Sequence, residues 1–290
     1  PGAARVVPFP SPMPELPEVE TVCRGLAQRL VGRRLRQVEV RRADLRQPVP
    51  PDFAARLTGR QVLAIDRRAK YMLWHLDDEA VVLGHLGMSG RLAVKADPAA
   101  PPATHDHVRF ETDDELVVVY NDPRRFGLLL LTTEATLAGH PLLRELGPEP
   151  LDAVFTAASL RARLDGRRGP LKAALLDQTV VAGLGNIYVC EALYRARVSP
   201  LRPAGALSAA EARRLVTEIK AVLSTAIAAG GSTLRDYVQA DGELGGFQNQ
   251  FFAYDREGTP CPSRACRGGQ VITRIVQGGR ATYYCPRCQK

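Results

Sequence analysis

No run in the sequence approaches the roughly 20 apolar residues of a membrane-spanning helix; the longest, around Leu128 to Leu131, is strand-sized. The first dozen residues carry one arginine and no apolar stretch of signal-peptide length, so the expected location is the cytoplasm. Internal repeats are lacking, and compositional bias beyond the Pro-rich start is confined to Ala96 to Ala103, expected as a surface loop. Outside the last 30 residues there are two cysteines, Cys23 and Cys190, which excludes a disulfide framework spread through the chain. What is there is ample for folding: 290 residues, 45% apolar and 24% charged, enough for two domains that each bury a core. Thirty-nine Lys and Arg oppose 31 Asp and Glu, and a net charge of +8 favours an anionic partner.

Residues 1 to 12 are Pro-rich, begin without methionine and read as a tail. From Pro17 the apolar positions Val19, Val22, Cys23, Leu26, Ala27 and Leu30 trace one face of a helix. Pro17, Glu18 and Glu20 suit its first turn and Gly32 its end. Strand patterns follow at Leu35 to Val40, Val62 to Asp66, Tyr71 to Leu76, Ala80 to Leu86, Arg91 to Lys95, His107 to Glu111 and Leu116 to Tyr120. Together they predict a β-sandwich or barrel with helices at its edge over residues 14 to 147. Pro148, Pro150 and the stretch Arg161 to Pro170 mark a linker over 148 to 170. Helical patterns at Leu171 to Asp177, Ile187 to Arg195, Ser208 to Ala229 and Thr233 to Val238 predict a small bundle over 171 to 250, and Ser208 with Glu211 forms a capping box. The tail, 251 to 290, returns to short strands.

That tail holds Cys261, Cys266, Cys285 and Cys288, spaced C-x4-C-x18-C-x2-C. Four thiolates at this spacing close a tetrahedron around one Zn2+, and with no open coordination position the metal is structural. Gly268-Gly269 and Gly278-Gly279 flank the strand Val271 to Val276 and predict a hairpin clamped by the metal. From residue 255 to 290 there are seven basic and two acidic side chains, so the hairpin stays positive even after four thiolates and zinc subtract two charges. Backbone phosphate is the expected contact, with Arg280 at the hairpin turn furthest forward.

Met13 to Glu20, MPELPEVE, sets three carboxylates around a proline that follows methionine. Were Pro14 the first residue, its nitrogen would be a free amine. Reference α-amino groups titrate near about 7.7 to 8.0 against about 10.4 for lysine, so such an amine keeps more of its neutral, nucleophilic form. Attack on a sugar C1′ gives an iminium, an electron sink for elimination. Glu15 could serve as acid and base, its pKa raised by burial and neighbouring carboxylates. Read as structure alone, Pro14 and Pro17 start a helix and the acids complement its dipole.

With MPELPEVET at Met13 to Thr21, RRAKYML at Arg67 to Leu73, HLGMSG at His85 to Gly90, YNDPRRFG at Tyr120 to Gly127, AGLGNIYVCEA at Ala182 to Ala192, LRDYVQADGELGGFQ at Leu234 to Gln248 and VQGGRATYYCPRCQ at Val276 to Gln289, the chain resembles the formamidopyrimidine-DNA glycosylases from Met13 to Lys290. The resemblance implies an α+β fold: an N-terminal β-sandwich with its leading helix, a helix-two-turn-helix domain and a C-terminal four-cysteine zinc β-hairpin, with DNA across the cleft. It implies base excision repair by a glycosylase and apurinic-site lyase that removes 8-oxoguanine and formamidopyrimidines, then cleaves by β and δ elimination. Pro14 matches the nucleophile, Glu15 the general acid/base, Glu18 a supporting acid, and Lys70 a lysine that contacts phosphate and assists the chemistry. Met88, Arg124 and Phe126 resemble the residues that fill the duplex when a nucleotide is flipped out. His85, Asn186 and Arg280 match phosphate contacts, Arg280 lying close to the chemistry; at Asn186, helix N–H groups and the amide are expected to converge on a phosphate. Val238 to Gln248 resembles the loop that closes over an everted 8-oxoguanine.

The implied partner is duplex DNA bearing oxidised purines or abasic sites, met by a monomeric, nucleoid-associated bacterial protein without a membrane. Two departures from the family pattern are local: the first cysteine pair is C-x4-C where C-x2-C is commoner, and Cys190 stands where Asp is usual. The third concerns residues 1 to 13. While they are attached, Pro14 nitrogen is an amide, so the working enzyme is expected to begin at Pro14. The alternatives are an oxidised-pyrimidine glycosylase of the endonuclease VIII type and, with the leader retained, a lesion-binding protein without turnover.

Overall fold

A computed structural model describes residues 13–97, 99–233, 244–266 and 269–290. The leading helix, α1 (Leu16–Leu30), forms where the apolar period predicts it. It is followed by β1 (Leu35–Val40), a short α2 (Phe53–Leu57), β2 (Val62–Arg68), β3 (Tyr71–Leu76), β4 (Ala80–His85), β5 (Arg91–Val94), β6 (Asp106–Thr112), β7 (Val117–Asn121), β8 (Leu128–Thr133) and a short α3 (Glu134–Leu137). The strands make two antiparallel four-stranded sheets, ordered β1-β6-β7-β5 and β2-β3-β4-β8. Their inner faces enclose Trp74, Phe110 and Tyr120, and the apolar face of α1 joins them through Val19, Val22, Leu26 and Leu30. β4 is buried along its whole length because Leu143 and its neighbours cover the outward Val81 and Leu83.

The second core is helical: α4 (Ala157–Leu164), α5 (Leu171–Leu176), α6 (Asn186–Ala196) and α7 (Ala209–Ala228). On α7, Ala212, Leu215, Val216, Ile219, Val222, Leu223 and Ala226 keep the helical period into the core. The capping box forms, Ser208 Oγ accepting from Glu211 N at 3.3 Å while Glu211 Oε2 accepts from Ser208 N at 3.0 Å. The segment 148–170 is more than a linker. It supplies α4, whose Leu160 and Leu164 are buried in the helical core. The helix expected at Thr233 to Val238 falls on residues 234–238, outside the described residues.

The tail pairs β9 (Thr273–Gln277) with β10 (Arg280–Tyr284) through the Gly278-Gly279 turn, both glycines at positive φ. The strand begins two residues later than Val271, and Gly268 lies outside the described residues. One feature of α1 sets the position of the site. Its first residue, Leu16, belongs to the helical core, while Val19 onward belongs to the sandwich. The helix N-terminus is therefore pinned at the seam between the two domains.

Candidate active site at the domain seam

Pro14 and Glu15 enter this seam against the N-terminus of α6. Leu16 N donates to Gly183 O at 3.1 Å, and a Cβ on Gly183 would meet the Leu16 side chain at 2.6 Å. A Cβ on Gly185 would stand 2.2 Å from the Glu15 carboxyl carbon. The glycines of Gly183-Leu184-Gly185 thus let two backbones approach closely enough for the Glu15 carboxylate to reach the orphan N–H groups of α6. Glu15 accepts from Ile187 N at 2.9 Å and Tyr188 N at 3.4 Å. The helix N-H groups that the sequence assigned to a phosphate are therefore taken by a carboxylate of the chain itself.

Glu18 lies one turn along. It accepts from Glu15 N at 2.9 Å, from Ser232 N at 2.8 Å and from the Tyr188 hydroxyl. Both carboxylates are 2% exposed. Burial pushes the Glu15 carboxyl up to about 7; the Lys70 ammonium opposes the rise and the Glu18 charge adds to it. Burial raises Glu18 as well, against hydrogen bonds from Tyr188 and Ser232. The carboxyl next to Pro14 therefore titrates near neutrality, the range in which one group can both give and take a proton.

Lys70 occupies the turn between β2 and β3, after Ala69 at φ 54°. Burial lowers its pKa, Glu15 and Glu18 hold it up and Arg280 lowers it further, so four charged groups from three parts of the fold meet here. The turn itself is clamped from the domain connection. Glu149 accepts from Ala69 N at 2.6 Å, Arg67 at 2.7 Å and Arg68 at 2.8 Å. Arg67 also donates to Glu20 at 2.8 Å, tying α1 to the same turn. His85 is buried at the end of β4, its Nδ1 accepting from Gly87 N at 2.9 Å. Burial and the neighbouring Lys70 and Arg46 charges depress it to about 4. At neutral pH it is an uncharged ring whose proton is on Nε2.

Asn186 and Arg280 approach the seam from the helical domain and the hairpin. Asn186 Nδ2 donates to Ala281 O at 2.9 Å, beside Arg280, and its Oδ1 is buried with no partner among the described residues. Lys172 is 1% exposed and donates to Ala281 O at 2.7 Å and Thr282 Oγ1 at 2.6 Å, fixing the start of β10 to α5. Arg280 is exposed and makes no salt bridge among the described residues. Met88, Arg124 and Phe126 stand apart from this group, on two loops at the rim of the sandwich. Met88 is half-buried, Phe126 is 46% exposed, and the Arg124 guanidinium lies 4.9 Å from the Phe126 ring centre. Of Val238 to Gln248, residues 238–243 lie outside the described residues.

The four tail cysteines converge, with all Sγ atoms within 4.8 Å of one another. Cys261 and Cys288 are 3.9 Å apart and Cys266 and Cys285 3.6 Å. Zinc–sulfur bonds of about 2.3 Å in a tetrahedron require sulfur separations of about 3.8 Å. The donor set fits a structural zinc ion, and the longer C-x4-C loop closes on it. Tyr194 OH lies 3.2 Å from Cys261 Sγ, an outer contact from α6. Glu191 on the same helix accepts from the backbone N–H groups of Phe252, Ala253 and Tyr254 at 2.8 to 3.1 Å, which docks the hairpin on the helical domain.

Glu149, Tyr188, Ser232 and Lys172 are absent from the sequence reading. Glu149 had a signal, a carboxylate held rigid between Pro148 and Pro150. Tyr188 and Ser232 had none, because their meaning depends on folding.

Three family profiles match the chain: formamidopyrimidine-DNA glycosylase N-terminal domain over residues 13–129, formamidopyrimidine-DNA glycosylase H2TH domain over 146–238, and the zinc finger found in FPG and IleRS over 269–290. A formamidopyrimidine-DNA glycosylase of Rhodospirillum centenum is 57% identical, the match covering 96% of this chain and all of that protein. One of Phenylobacterium zucineum is 56% identical with the same coverage. The crystal structure of the MutM (Fpg) protein of Thermus thermophilus is 42% identical, with a TM-score of 0.84 over 95% of this chain and 98% of that one. Lactococcus lactis Fpg in complex with DNA containing an abasic site is 34% identical, with a TM-score of 0.86 over 96% and 100%.

Proposed function

Since the chain belongs to the formamidopyrimidine-DNA glycosylase family, we infer that it is a DNA-formamidopyrimidine glycosylase and DNA-(apurinic or apyrimidinic site) lyase of base excision repair. Its substrate is duplex DNA carrying 8-oxoguanine, formamidopyrimidines or abasic sites. The observation that carries the reading is the Glu15 carboxyl, buried beside Pro14 and titrating near 7. The enzyme acts as a monomer in the cytoplasm; among the described residues no helix is long and apolar enough to cross a membrane.

In the 290-residue chain Pro14 nitrogen is bonded to Met13, so the proposed active form begins at Pro14. Support comes from the N-terminal family profile, which starts at residue 13, and from relatives whose whole length matches 96% of this chain. The freed nitrogen lone pair attacks C1′ of the lesion nucleotide. The C1′–N9 bond breaks, its electron pair leaves on the purine, and the proton released from the Pro14 ammonium neutralises that purine. Glu15 gives a proton to the sugar oxygen as the ring opens, leaving an iminium between Pro14 and C1′. A base, Glu15 in its carboxylate form, then removes a C2′ proton. The electrons expel the 3′ phosphate, and a second elimination expels the 5′ phosphate.

Lys70 and Arg280 supply positive charge for the phosphates around the lesion, and their mutual repulsion within the free protein is relieved by an anion. Neutral His85 offers its Nε2–H, and Asn186 the second N–H of its side-chain amide, the first being donated to Ala281 O. Glu18 positions the first turn of α1 through Glu15 N. The zinc ion holds the hairpin that carries Arg280 and takes no part in the chemistry. Met88, Arg124 and Phe126 enter the space left by the everted nucleotide, replacing lost stacking with a thioether, a guanidinium and a ring.

Borohydride trapping tests the reading. Protein whose N-terminus is verified by mass spectrometry as Pro14 is expected to form a covalent adduct with 8-oxoguanine and abasic duplexes, and protein retaining residues 1–13 none. No adduct from the Pro14 form, under conditions where another family member is trapped, would refute it. Faster excision of thymine glycol than of 8-oxoguanine paired with cytosine would move the substrate to the endonuclease VIII class.

A further inference from the structure

The two loops at the rim are joined by a buried carboxylate that has no place in the chemistry above. Loop 86–90 leads from β4 to β5, and loop 122–127 from β7 to β8. β4 pairs with β8 in one sheet and β5 with β7 in the other, so both loops cross the same end of the sandwich side by side. Asp122, with no exposed surface, opens the second loop. Its Oδ1 accepts from Ser89 Oγ at 2.5 Å in the first loop. Its Oδ2 accepts from Gly127 N at 2.9 Å and Tyr120 OH at 3.3 Å. Ser89 Oγ in turn accepts from Arg124 N at 3.1 Å, returning to the second loop. The Asp122 carbonyl is held by His107 Nε2–H at 2.8 Å and Arg125 N at 3.2 Å.

Around this carboxylate the loops touch backbone to backbone. A Cβ on Gly87 would meet Phe126 C at 2.4 Å, and one on Gly127 would meet the Tyr120 hydroxyl at 1.8 Å and His85 O at 2.5 Å. Neither loop has room to shift by the width of a methyl group without moving the other. Met88 sits between Gly87 and Ser89, and Arg124 and Phe126 lie between Asp122 and Gly127. We propose that Asp122 and Ser89 are positioning residues that lock both loops into one rigid unit, so that Met88, Arg124 and Phe126 enter the duplex together during nucleotide eversion. This rests on the reading of those three side chains as the duplex-filling group.

Pre-set geometry reduces what must be ordered on binding, and a wedge that enters as a unit opposes re-stacking at every position at once. Removing one acceptor from Asp122 leaves a buried donor unmatched and frees one loop from the other. The loss should appear in extrusion and not at the reacting atoms, because Asp122 touches neither Glu15 nor Lys70.

The test uses the Pro14 form of the full chain. Single-turnover excision from 8-oxoguanine paired with cytosine is compared with strand cleavage at a preformed abasic site, which has no base to unstack. Fluorescence of a 2-aminopurine next to the lesion follows extrusion directly. Asp122→Asn is expected to slow excision and the fluorescence change about tenfold while abasic cleavage changes less than about threefold. In a Phe126→Ala background the same substitution should add less than about twofold, since coupled residues are not additive. Ser89→Ala, which leaves the carboxylate in place, should show the same pattern at smaller size and serves if Asp122→Asn does not fold. Equal losses on both substrates, an unchanged fluorescence rate, or full additivity with Phe126→Ala would overturn the proposal. If Phe126→Ala itself leaves extrusion unchanged, the duplex-filling reading fails and takes the proposal with it; if only the Asp122 and Ser89 variants do, that reading stands and the lock alone is wrong.

Discussion

At the seam, Glu15 and Glu18 are 2% exposed and their partners are backbone amides, a tyrosine and a lysine of the same chain; at the rim, Phe126 is 46% exposed and the exposed Arg124 lies with its guanidinium over that ring. Both regions serve one proposed reaction, yet their physics is opposed. Burial at the seam is used to move a proton affinity, with Lys70 and backbone amides already set against the two carboxylates before DNA arrives. The rim does the reverse: it keeps a guanidinium and an aromatic ring in water, where their gain comes only when a duplex covers them. The seam's properties are therefore visible in the free protein, whereas the rim's are visible only in what holds its loops still.

The sharpest way to break that contrast is Glu15→Gln, which keeps the shape and removes the titration. Excision of 8-oxoguanine under single-turnover conditions should fall about 100- to 10,000-fold, the usual worth of a general acid or base. DNA affinity in a gel-shift assay should change little, because Glu15 already has its partners. In the unsubstituted enzyme, excision should decline as pH rises through about 7, where Glu15 loses its proton, and the variant should lack that limb. Stability follows the same sign. The folded pKa lies above the ordinary 4.5, so the folded state binds the proton more tightly. This contribution is fully present below pH 4.5 and is lost as pH rises through about 7, a change of about 3 kcal/mol. Denaturant unfolding between pH 4 and 8 should show that slope, and Glu15→Gln should flatten it.

Removing the metal is the next largest perturbation, and its main effect should be on binding. Cys285→Ser, or chelation, leaves the hairpin held by Lys172, Glu191 and a small cluster around Tyr194, Ile272 and Tyr283. Native mass spectrometry should find one zinc ion per chain, and its loss should cost DNA affinity about tenfold or more at constant salt. Glu15's proton affinity, read from the pH dependence of stability, should not move.

Legibility in the sequence ran along the same divide. The four cysteines, the periodic faces of α1 and α7 and the apolar segments of the sandwich strands are local patterns, and they appear where the patterns put them. α4 was hidden because only Leu160 and Leu164 are buried, inside a stretch rich in arginine that reads as linker. The seam was half legible. MPELPEVE announces unusual carboxylates, but Tyr188 and Ser232 bond Glu18 from 170 and 214 residues away. No spacing rule reaches that far, and for the same reason the amides of α6 seemed free for phosphate when Glu15 takes them. Glu149 lies 80 residues from Ala69 and became meaningful only once the turn holding Lys70 was folded.

Gly185→Ala tests whether the seam is as closely fitted as its glycines imply. The new Cβ would be 2.2 Å from the Glu15 carboxyl carbon, so the carboxylate must leave the α6 amides or the helix must move. Overpacking of this kind costs about 1 to 3 kcal/mol. Thermal unfolding should come several degrees lower, and excision should fall further than that loss explains because the displaced group is the proposed acid. Gly169→Ala, where a Cβ meets no described residue beyond its chain neighbours within 4 Å and φ is ordinary, should leave both measurements unchanged.

Arg280→Ala should produce the smallest effect, at the solvent-exposed edge of the seam. The side chain is solvated in the free protein, so its loss should leave thermal stability within about 0.5 kcal/mol. One phosphate contact fewer should weaken binding to damaged and undamaged duplexes alike and reduce the slope of log affinity against log salt by about one. Lys70 should respond in the opposite sense, since Arg280 is the cation that helps to lower its pKa. Excision at saturating DNA should therefore carry an upward-shifted lysine titration at its alkaline end. An unchanged salt slope would remove Arg280 from the phosphate backbone, and an unchanged alkaline limb would mean that Lys70 and the hairpin titrate independently once DNA lies between them.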